Sequence, residues 1–174
     1  FVDNLTRNAL GKLEPTENYT ETCQYYMFFF CVADKTTNKE LFYKMLNEYG
    51  KGHRHGEEEK LAEANMIYGV YMRLELLMRE QKRVELLNEC VRYFYDMTQK
   101  TGTLWENNTA SASCDHGFAS YVSRFIIYAL FGFDVLYPEK GGAKNVIKLN
   151  SEAVLPFKQK TVNLSVLNNI VTVK

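Results

Sequence analysis

Long apolar runs are missing from this sequence. The longest, from Tyr25 to Ala33, has about nine residues, whereas a helix that crosses a bilayer needs roughly 20. The chain does not open with a charged segment, an apolar stretch and a cleavage signal, so we predict no secretory signal within it. An excess of charge is also missing, because 21 basic side chains balance 21 acidic ones. This balance argues against a basic surface for nucleic acid and against an acidic tail.

Several motifs that mark known classes of site are absent as well. There is no glycine-rich phosphate loop and no Gly-x-Ser-x-Gly nucleophile elbow. The cysteines show no Cys-x-x-Cys spacing; they are Cys23, Cys31, Cys90 and Cys114. Three of the four lie in apolar helical patterns, which favours buried free thiols over disulfides or zinc. His53 and His55 have no third ligand at metal-binding spacing, so a solvated loop is favoured there.

Aromatic residues are abundant at 14%, and apolar residues recur at helical spacing in five segments. The predicted helices begin after Thr20, after Asn38, near Leu61, near Arg83 and near Tyr121. Their expected apolar faces include Val32 in the first helix and Met66 in the third. Three glycines are expected to end the second, fourth and fifth helices, namely Gly50, Gly102 and Gly132. Short links between helices predict antiparallel neighbours and a mainly α fold.

Two segments do not follow the helical pattern. Residues 1–19 are polar and turn-rich, and we interpret them as an irregular lead-in to the first helix. Residues 137–174 contain β-branched residues in partial alternation, which predicts two or three short strands. So few strands cannot bury a face alone, so they should pack on the helices or join other strands. We therefore divide the chain into a helical domain, 1–136, and a β-rich tail, 137–174.

The stretch GTLWENNTASASCDHGFAS, residues 102–120, is a polar loop between two apolar helices. It puts the single tryptophan, Trp105, next to Glu106, and it contains the pair Asp115 and His116. An indole ring can stack on the apolar face of a pyranose, while a carboxylate handles a proton or binds hydroxyls. Glycosidases need two carboxyl groups that flank the bond they cleave. The loop is therefore a candidate carbohydrate site.

Each of these residues also has an ordinary structural interpretation. Trp105 could be a core anchor, Glu106 a solvated side chain, and Asp115 the N-cap of the fifth helix. His116 could bind a substrate hydroxyl, orient Glu106, or be a first-turn residue without a ligand. Glu21, at the start of the first helix, could line the same cleft or belong to an ordinary N-terminal turn. The residue pattern alone leaves these alternatives open.

Three blocks in this order resemble α-L-rhamnosidases, and more broadly the six-hairpin (α/α)6-toroid glycosidases. They are ENYTETCQYYMFFF (17–30), MRLELLMR (72–79) and TGTLWENNTASASCDHGFAS (101–120). The resemblance covers residues 15–135 and is most specific in the last block. In that family a Thr-hydrophobic-Trp-Glu motif carries the catalytic base, and an Asn-His pair precedes the next helix.

Thr103-Leu104-Trp105-Glu106 matches the first motif of that family residue for residue. His116-Gly117 matches the second, with Asp115 where the family usually has Asn. The resemblance implies an inverting glycoside hydrolase in which Glu106 is the general base. We predict that Trp105, His116, Asp115 and Glu21 contact the substrate, which the resemblance implies is a rhamnose-type glycoside.

The toroid has twelve helices and this chain is predicted to have five, so the resemblance implies a fragment. Such a fragment holds the base, lacks the upstream acid and is inactive alone. Its exposed helix faces would be covered by the rest of the domain or by a homodimer. The tail would begin a C-terminal β-sandwich. No cofactor is implied; some relatives hold a structural calcium, for which the sequence shows no dedicated ligand cluster.

Other functions stay open at this point. One is a carbohydrate-binding relative that kept the toroid and lost catalysis. Another is a helical interaction module, which requires Trp105 and Glu106 to be buried or to point away from any cleft. A lyase or epimerase on the same toroid is a further alternative. The sequence also leaves secretion, the periplasm and the cytoplasm open, with a bacterial type of glycosidase favoured.

Overall fold

The structure, a computed structural model, describes residues 5–7, 13–15, 19–51, 61–132, 134, 164–167 and 170–173. This part of the chain is mainly helical, as the sequence predicts. The helices are α1 (Glu21–Phe29), α2 (Lys39–Glu48), α3 (Ile67–Arg79), α4 (Arg83–Thr101) and α5 (Val122–Phe131). A 3₁₀ segment, Gly117–Tyr121, leads directly into α5.

Short strands flank and connect the helices. They are β1 (Leu5–Arg7), β2 (Leu13–Pro15), β3 (Tyr19–Thr20), β4 (Leu61–Ala62), β5 (Leu164–Leu167) and β6 (Ile170–Val173). β1 pairs with β2 and β5 with β6 in antiparallel hairpins, whereas β3 and β4 are parallel. The prediction of a wholly irregular lead-in is therefore wrong, because three strands lie at or before residue 20.

The first helix begins where the sequence predicts. Thr20 has an extended backbone, and its Oγ1 accepts a hydrogen bond of 3.0 Å from the Cys23 backbone N–H. This bond satisfies one of the donors left free at a helix start. The end of the helix was predicted wrongly, because α1 stops at Phe29 and Cys31 has a φ of 57°. Val32 consequently lies beyond the helix and is exposed rather than on its inner face.

The third helix begins six residues later than the sequence suggests. Leu61, which we expected to start it, pairs with Tyr19 in the parallel strand pair β3–β4. The helix starts at Ile67, whose backbone N–H donates to the Glu106 carbonyl at 3.0 Å. Met66 is the N-cap and is exposed, so its expected place on the inner face is also wrong. Partners distant in sequence therefore decided where α3 begins.

Three helices run in the same direction. Thr22 of α1 lies against Gly69 of α3, and further along Arg79 Nη1 donates to the Phe29 carbonyl at 2.9 Å. The later residue of α1 contacts the later residue of α3, so the two helices are parallel. Tyr71 contacts Ala119 just ahead of α5, and Glu75, one turn later, binds Arg124 within α5. The helix α5 is therefore parallel to α3.

The other two helices run the opposite way. Tyr93 of α4 donates to the carbonyl of Asn65 before α3, whereas Glu89, one turn earlier in α4, pairs with Arg73 in the middle of α3. For α2, Tyr43 near its start donates to Glu80 after the end of α3, and Gly50 after its end lies against Arg73. The sequence of helices thus alternates in direction, with α1, α3 and α5 parallel to one another.

Arginine side chains join the helices at their C-terminal ends. The last four carbonyls of a helix have no partner within it, and a cation there also complements the helix dipole. Arg73 donates to the Met45 and Leu46 carbonyls near the end of α2, at 2.8 and 3.1 Å. Arg83 donates to Ala129 and Leu130 near the end of α5, at 2.9 and 2.8 Å. These bonds fix the ends of helices to neighbours that are distant in sequence.

The apolar core lies between these helices. Its most deeply buried members come from all five: Tyr25, Met45, Leu74, Leu77, Leu86, Met97 and Phe125. Cys90 is buried and Cys31 is exposed, so the expectation of buried thiols holds in one case and fails in the other. All four cysteines lie in the described ranges and are free thiols. Within those ranges no helix combines the length and apolar character needed to cross a bilayer.

Candidate functional site

The polar loop lies at the end of the molecule where three helices begin. It follows the C-terminus of α4, which Gly102 ends in a left-handed conformation with a φ of 73°. It leads into the 3₁₀ segment before α5. Because α1, α3 and α5 are parallel, their N-termini share this end, where helix dipoles present partial positive charge. The sequence order of helices thus places the loop beside the starts of α1 and α3.

Backbone hydrogen bonds hold the loop in one arrangement. The Glu106 N–H donates to the Ser113 carbonyl and the His116 N–H donates to the Leu104 carbonyl, each at 2.9 Å. At the far end, Asn107 Oδ1 accepts from both the N–H and the hydroxyl of Thr109 at 2.9 Å. Such side-chain turns are typical of Asn. The two halves of the loop therefore lie side by side, and Glu106 and His116 are brought to the same region.

A second set of bonds ties this loop to the segment before α3. The Ile67 N–H donates to the Glu106 carbonyl, and the Asn108 N–H donates to the side-chain oxygen of Asn65 at 3.0 Å. Met66 and Asn107 form an antiparallel bridge between these bonds. Both backbone groups of Glu106 are thus used, which fixes its position relative to α3.

The Glu106 side chain is half-buried. Its backbone is held on both sides, but its carboxylate accepts no hydrogen bond from any residue in the described ranges. A general base needs a carboxylate that is fixed in position and open to a water molecule. Of the five predicted site residues, Glu106 is the one that combines a backbone fixed on both sides with a carboxylate open to water.

Trp105 does not face a cleft. It is 3% exposed, its indole Nε1 donates to Thr101 Oγ1 at 2.7 Å, and Lys100 Nζ lies 5.8 Å from its ring centre. Burial alternates along this segment, since Trp105 and Asn107 are buried while Glu106 between them is half-buried. Neighbouring side chains of an extended segment point in opposite directions. Trp105 is therefore a core anchor, and the prediction that it stacks on a sugar is wrong.

Glu21 is also unavailable to a substrate. Its side chain is 0% exposed, and its Oε2 accepts hydrogen bonds from the Tyr25 hydroxyl at 3.2 Å and from the Ala64 N–H at 3.3 Å. The predicted substrate contact is wrong because the chain's own residues enclose this carboxyl group. The bond to Ala64 holds the segment that leads into α3, and that segment in turn binds Glu106. Glu21 thus supports the site without reaching it.

Asp115 and His116 differ in their surroundings. Asp115 is exposed, and it caps neither the 3₁₀ segment nor α5, since their N-caps are His116 and Tyr121. The interpretation of Asp115 as a helix cap is therefore wrong. His116 is half-buried, its ring meets the Phe118 ring edge-on at 5.4 Å, and its Nδ1 has no hydrogen-bond partner in the described ranges. Both residues adjoin the Glu106 half of the loop.

An open groove lies next to His116, and the sequence reasoning missed it. Its volume is about 400 Å³ and its lining consists of Tyr68, Tyr71, Gly117, Phe118, Ser120 and Tyr121. Phe118 is 67% exposed and Tyr68 is 41% exposed. The available signal was the exposed position of Phe118 just after His116-Gly117, but the groove also needs α3 alongside. Tyr121 was expected at the start of the fifth helix. It ends the 3₁₀ segment and is the N-cap of α5, and it also lines the groove.

The lining is supported from beneath by buried polar groups. The Tyr71 hydroxyl donates to the Phe118 and Ala119 carbonyls at 2.9 and 2.8 Å, and burial raises the pKa of this phenol. Arg124 Nη1 donates to the Tyr121 hydroxyl at 2.7 Å. Its Nε and Nη2 donate to the two carboxylate oxygens of Asp134, each at 2.8 Å, in a bidentate pair. Such bidentate pairs fix geometry well. The groove therefore has an ordered floor.

Metal ligands do not gather in the part of the chain that the structure describes. No group of three or more His, Cys, Asp or Glu side chains there is arranged to hold an ion. His53 and His55, considered above for zinc, lie outside the described residues.

Comparison of this chain with protein-family profiles, with curated proteins and with solved structures gives no match.

Proposed function

We propose that this chain is part of an (α/α)6-toroid glycoside hydrolase similar to the α-L-rhamnosidases, with Glu106 as the general base. The observation that carries the proposal is the state of Glu106. Its backbone is fixed by bonds to Ser113 and Ile67, whereas its half-buried carboxylate has no partner in the described ranges. A loop ordered to this degree around one open carboxylate suits proton transfer to or from a positioned water.

The directions of the helices support the toroid. An α/α toroid is built from helical hairpins whose first members are parallel to one another. Here α1, α3 and α5 are parallel, α2 and α4 run against them, and the N-terminal ends of the parallel set carry the candidate site. Five helices in this order correspond to an arc of two and a half hairpins. The strand pair β5–β6 fits the start of the β-sandwich proposed for residues 137–174.

The proposed reaction inverts the configuration at the anomeric carbon. Glu106 accepts a proton from a water molecule while the water oxygen bonds to the anomeric carbon from one face. On the opposite face the glycosidic bond breaks, and its oxygen takes a proton from a carboxylic acid. The two carboxyl groups in such enzymes are roughly 6.5–9.5 Å apart, which leaves room for the water. We assign the acid to the part of the toroid outside residues 1–174.

His116 and Asp115 are the proposed hydroxyl-binding residues. Both lie just after Ser113, whose carbonyl accepts a hydrogen bond from the Glu106 N–H, and Asp115 is exposed. An imidazole and a carboxylate can each bind sugar hydroxyl groups by hydrogen bonds. Asp115 stands where the family usually has Asn, and a carboxylate only accepts hydrogen bonds whereas an amide also donates. This difference predicts a sugar preference distinct from that of typical relatives.

The rest of the same domain is the proposed partner of the exposed apolar faces, with a homodimer as the other candidate. Phe30 and Val32 are exposed after the end of α1. Val84, Val91 and Tyr95 are exposed along α4. Large apolar side chains left exposed at several positions after α1 and along α4 are candidates for a contact region. We propose that further helices of the toroid cover them.

A second candidate function is sugar binding without catalysis. The observation that favours it is that Glu106 does not line the open groove, although His116 adjoins it. The interaction-module alternative also stays open. It requires Trp105 and Glu106 to be buried or to point away from any cleft; Trp105 is buried, and Glu106 is half-buried and does not line the open groove.

The test is hydrolysis by the complete gene product that contains this chain. We would assay p-nitrophenyl α-L-rhamnoside and a panel of other aryl glycosides with the wild type, with Glu106→Gln and with Glu85→Gln. Glu85 is an exposed glutamate at the start of α4 and serves as a matched control. We expect Glu106→Gln to lower kcat by roughly 10²- to 10⁴-fold without loss of folding, and Glu85→Gln to match the wild type.

Two results would count against this proposal. Near-normal turnover of Glu106→Gln would remove the assignment of the base. A folded wild-type protein that cleaves no glycoside would favour the sugar-binding alternative. NMR of the first-formed product gives the stereochemistry, and retention of configuration would contradict the inverting mechanism.

A further inference from the structure

We propose that the open groove between α3 and the 3₁₀ segment is a sugar-binding subsite in which Phe118 and Tyr68 stack on a pyranose ring. The groove comprises the six lining residues already named. This inference rests on the proposed carbohydrate function and deepens it, since it assigns the stacking role first expected of Trp105 to other residues.

Hydrogen bonds to the backbone around Phe118 keep its side chain exposed. The carbonyls of Phe118 and Ala119 both accept hydrogen bonds from the Tyr71 hydroxyl, and the ring contacts the His116 ring edge-on. The anchored backbone holds the ring in solvent, where it is 67% exposed, rather than letting it turn into the core. A large apolar ring presented in this way is typical of a contact surface.

The chemistry of the lining selects the class of ligand. Three tyrosines, one phenylalanine, one serine and one glycine line the groove, so the lining has no acidic or basic side chain. Phosphates and carboxylates therefore find no cation among the lining residues. Aromatic faces combined with hydroxyl groups match a neutral ligand that has one apolar face and polar edges. A pyranose ring has this character.

Hydroxyl groups suitable for a sugar edge are present. The Tyr68 hydroxyl makes no hydrogen bond to any residue in the described ranges. Ser120 Oγ donates to the Gly117 carbonyl at 2.7 Å, which leaves its lone pairs free to accept. The hydroxyls of Tyr71 and Tyr121 are already bonded to the groove floor. Tyr68 and Ser120 are thus the groups that would bind sugar hydroxyls.

The groove is continuous with the Glu106 loop through His116. The His116 backbone bonds to Leu104, two residues before Glu106, and the His116 ring touches Phe118. Glu106 itself is not part of the lining. The groove therefore fits a sugar unit beside the bond that is cleaved, and its residues affect binding rather than the chemical step.

Direct binding tests the subsite without hydrolysis. We would titrate the complete gene product with methyl α-L-rhamnopyranoside and a panel of other methyl pyranosides, measuring Kd by NMR for the wild type, Phe118→Ala and Tyr68→Ala. Phe30→Ala and Tyr95→Ala each remove an aromatic ring outside the groove, on the faces proposed to contact the rest of the domain, so they control for a general loss of packing. Loss of one stacking ring should weaken binding by about threefold to tenfold, with Phe118→Tyr close to the wild type and both controls unchanged.

The outcomes separate this inference from the proposed reaction. Binding that weakens in Phe118→Ala supports the subsite even when Glu106→Gln or the wild type shows no hydrolysis. Hydrolysis with an unchanged Kd and KM in both groove variants overturns the subsite and leaves the reaction standing. Binding of p-nitrophenol in the groove, with no binding of any methyl pyranoside, overturns it as well, because the groove then takes flat aromatic ligands.

Discussion

Arg73 and Glu89 form an ion pair in the core, with 3.0 Å between Arg73 Nε and Glu89 Oε2 and with both side chains at most 3% exposed. The guanidinium also donates to the Tyr25 hydroxyl and to two carbonyls at the end of α2. One side chain of α3 therefore contacts α1, α2 and α4. The charges of its neighbours hold the pKa of Arg73 above its ordinary value despite burial, so it stays protonated.

Removal of this arginine should destabilise the whole helical unit. Arg73→Met removes the ion-pair partner of the buried Glu89 and the donor to two α2 carbonyls, so we expect a loss of about 3–5 kcal/mol in the free energy of unfolding. Urea denaturation followed by circular dichroism measures this. Arg79→Met is the matched control, because Arg79 is exposed, donates to one carbonyl and lies over the Phe29 ring at 4.2 Å; we expect a loss of about 0.5–1.5 kcal/mol there.

A companion variant distinguishes the lost ion pair from lost packing. Glu89→Gln in the Arg73→Met background removes the buried charge that has lost its arginine, so it should recover part of the stability. If the double variant is no more stable than Arg73→Met, the buried charge is not the cause of the loss.

The close approach of α1 and α3 predicts a second effect. A Cβ atom at Gly69 would lie 2.2 Å from Thr22 Oγ1, whereas a Cβ atom at Gly117 would meet nothing within 4 Å. Overpacking of this kind typically costs about 1–3 kcal/mol. We therefore expect Gly69→Ala to lower the thermal midpoint clearly and Gly117→Ala to leave it nearly unchanged.

Thr22→Ala provides the check on this explanation. It removes the hydroxyl at 2.2 Å and leaves the Thr22 Cβ at 3.1 Å from the new methyl group. Gly69→Ala combined with Thr22→Ala should therefore be less destabilised than the sum of the single variants. Simple additivity would mean that the clash with Thr22 is not what limits residue 69.

Buried tyrosines predict loss of stability at alkaline pH. Burial raises the pKa of Tyr25, Tyr71 and Tyr93 above the ordinary value of about 10. Above that pH the unfolded chain has released these protons and the folded chain still holds them. The free energy of unfolding therefore falls as the pH rises, and the stabilisation is complete only below about pH 10.

Urea midpoints measured at a series of pH values test this directly. Tyr71→Phe is the informative variant, because it loses the bonds to Phe118 and Ala119 and also one buried phenol. It should be less stable at neutral pH, yet its stability should fall less steeply above pH 10. Tyrosinate absorbance of the buried phenols should appear together with the loss of helix signal. A wild-type midpoint independent of pH in this range would contradict the prediction.

The burial of Trp105 is open to a fluorescence test. It is the single tryptophan of residues 1–174, so all indole emission of a protein made of these residues comes from this site. We expect iodide to quench the fluorescence of the native protein weakly, because the indole ring is 3% exposed in the fold. It should quench the urea-unfolded protein strongly, because unfolding exposes the ring. Methyl pyranosides should leave the native quenching unchanged. Strong native quenching that a sugar suppresses would restore the stacking role to Trp105.

The sequence predicted the helices well wherever local chemistry decides. The Thr20 cap and the glycine that ends α4, Gly102, are both present. Apolar spacing and caps act within about one turn of a helix, so a single segment contains the information. Glu106 was selected by its motif, and its half-exposed carboxylate leaves that role open as a proposal.

Features that depend on distant partners were not predictable in this way. The start of α3 depends on the pairing of Leu61 with Tyr19 and on the Glu106 carbonyl. Glu21 is polar and at a helix start, yet Tyr25 and Ala64 enclose it. The groove at Phe118 exists only because α3 lies beside the 3₁₀ segment.

By itself, the sequence determined the balance of charge, the order of the five helices and the composition of the polar loop. Only the tertiary structure decided that Trp105 turns into the core while Glu106 stays partly open, and that Phe118 is held in solvent. The reason is physical: helix formation is governed by neighbours three or four residues apart, whereas burial depends on which elements meet in space. Neighbouring residues of one polar loop therefore differ in burial, because the ends of the parallel helices decide which side chains are enclosed.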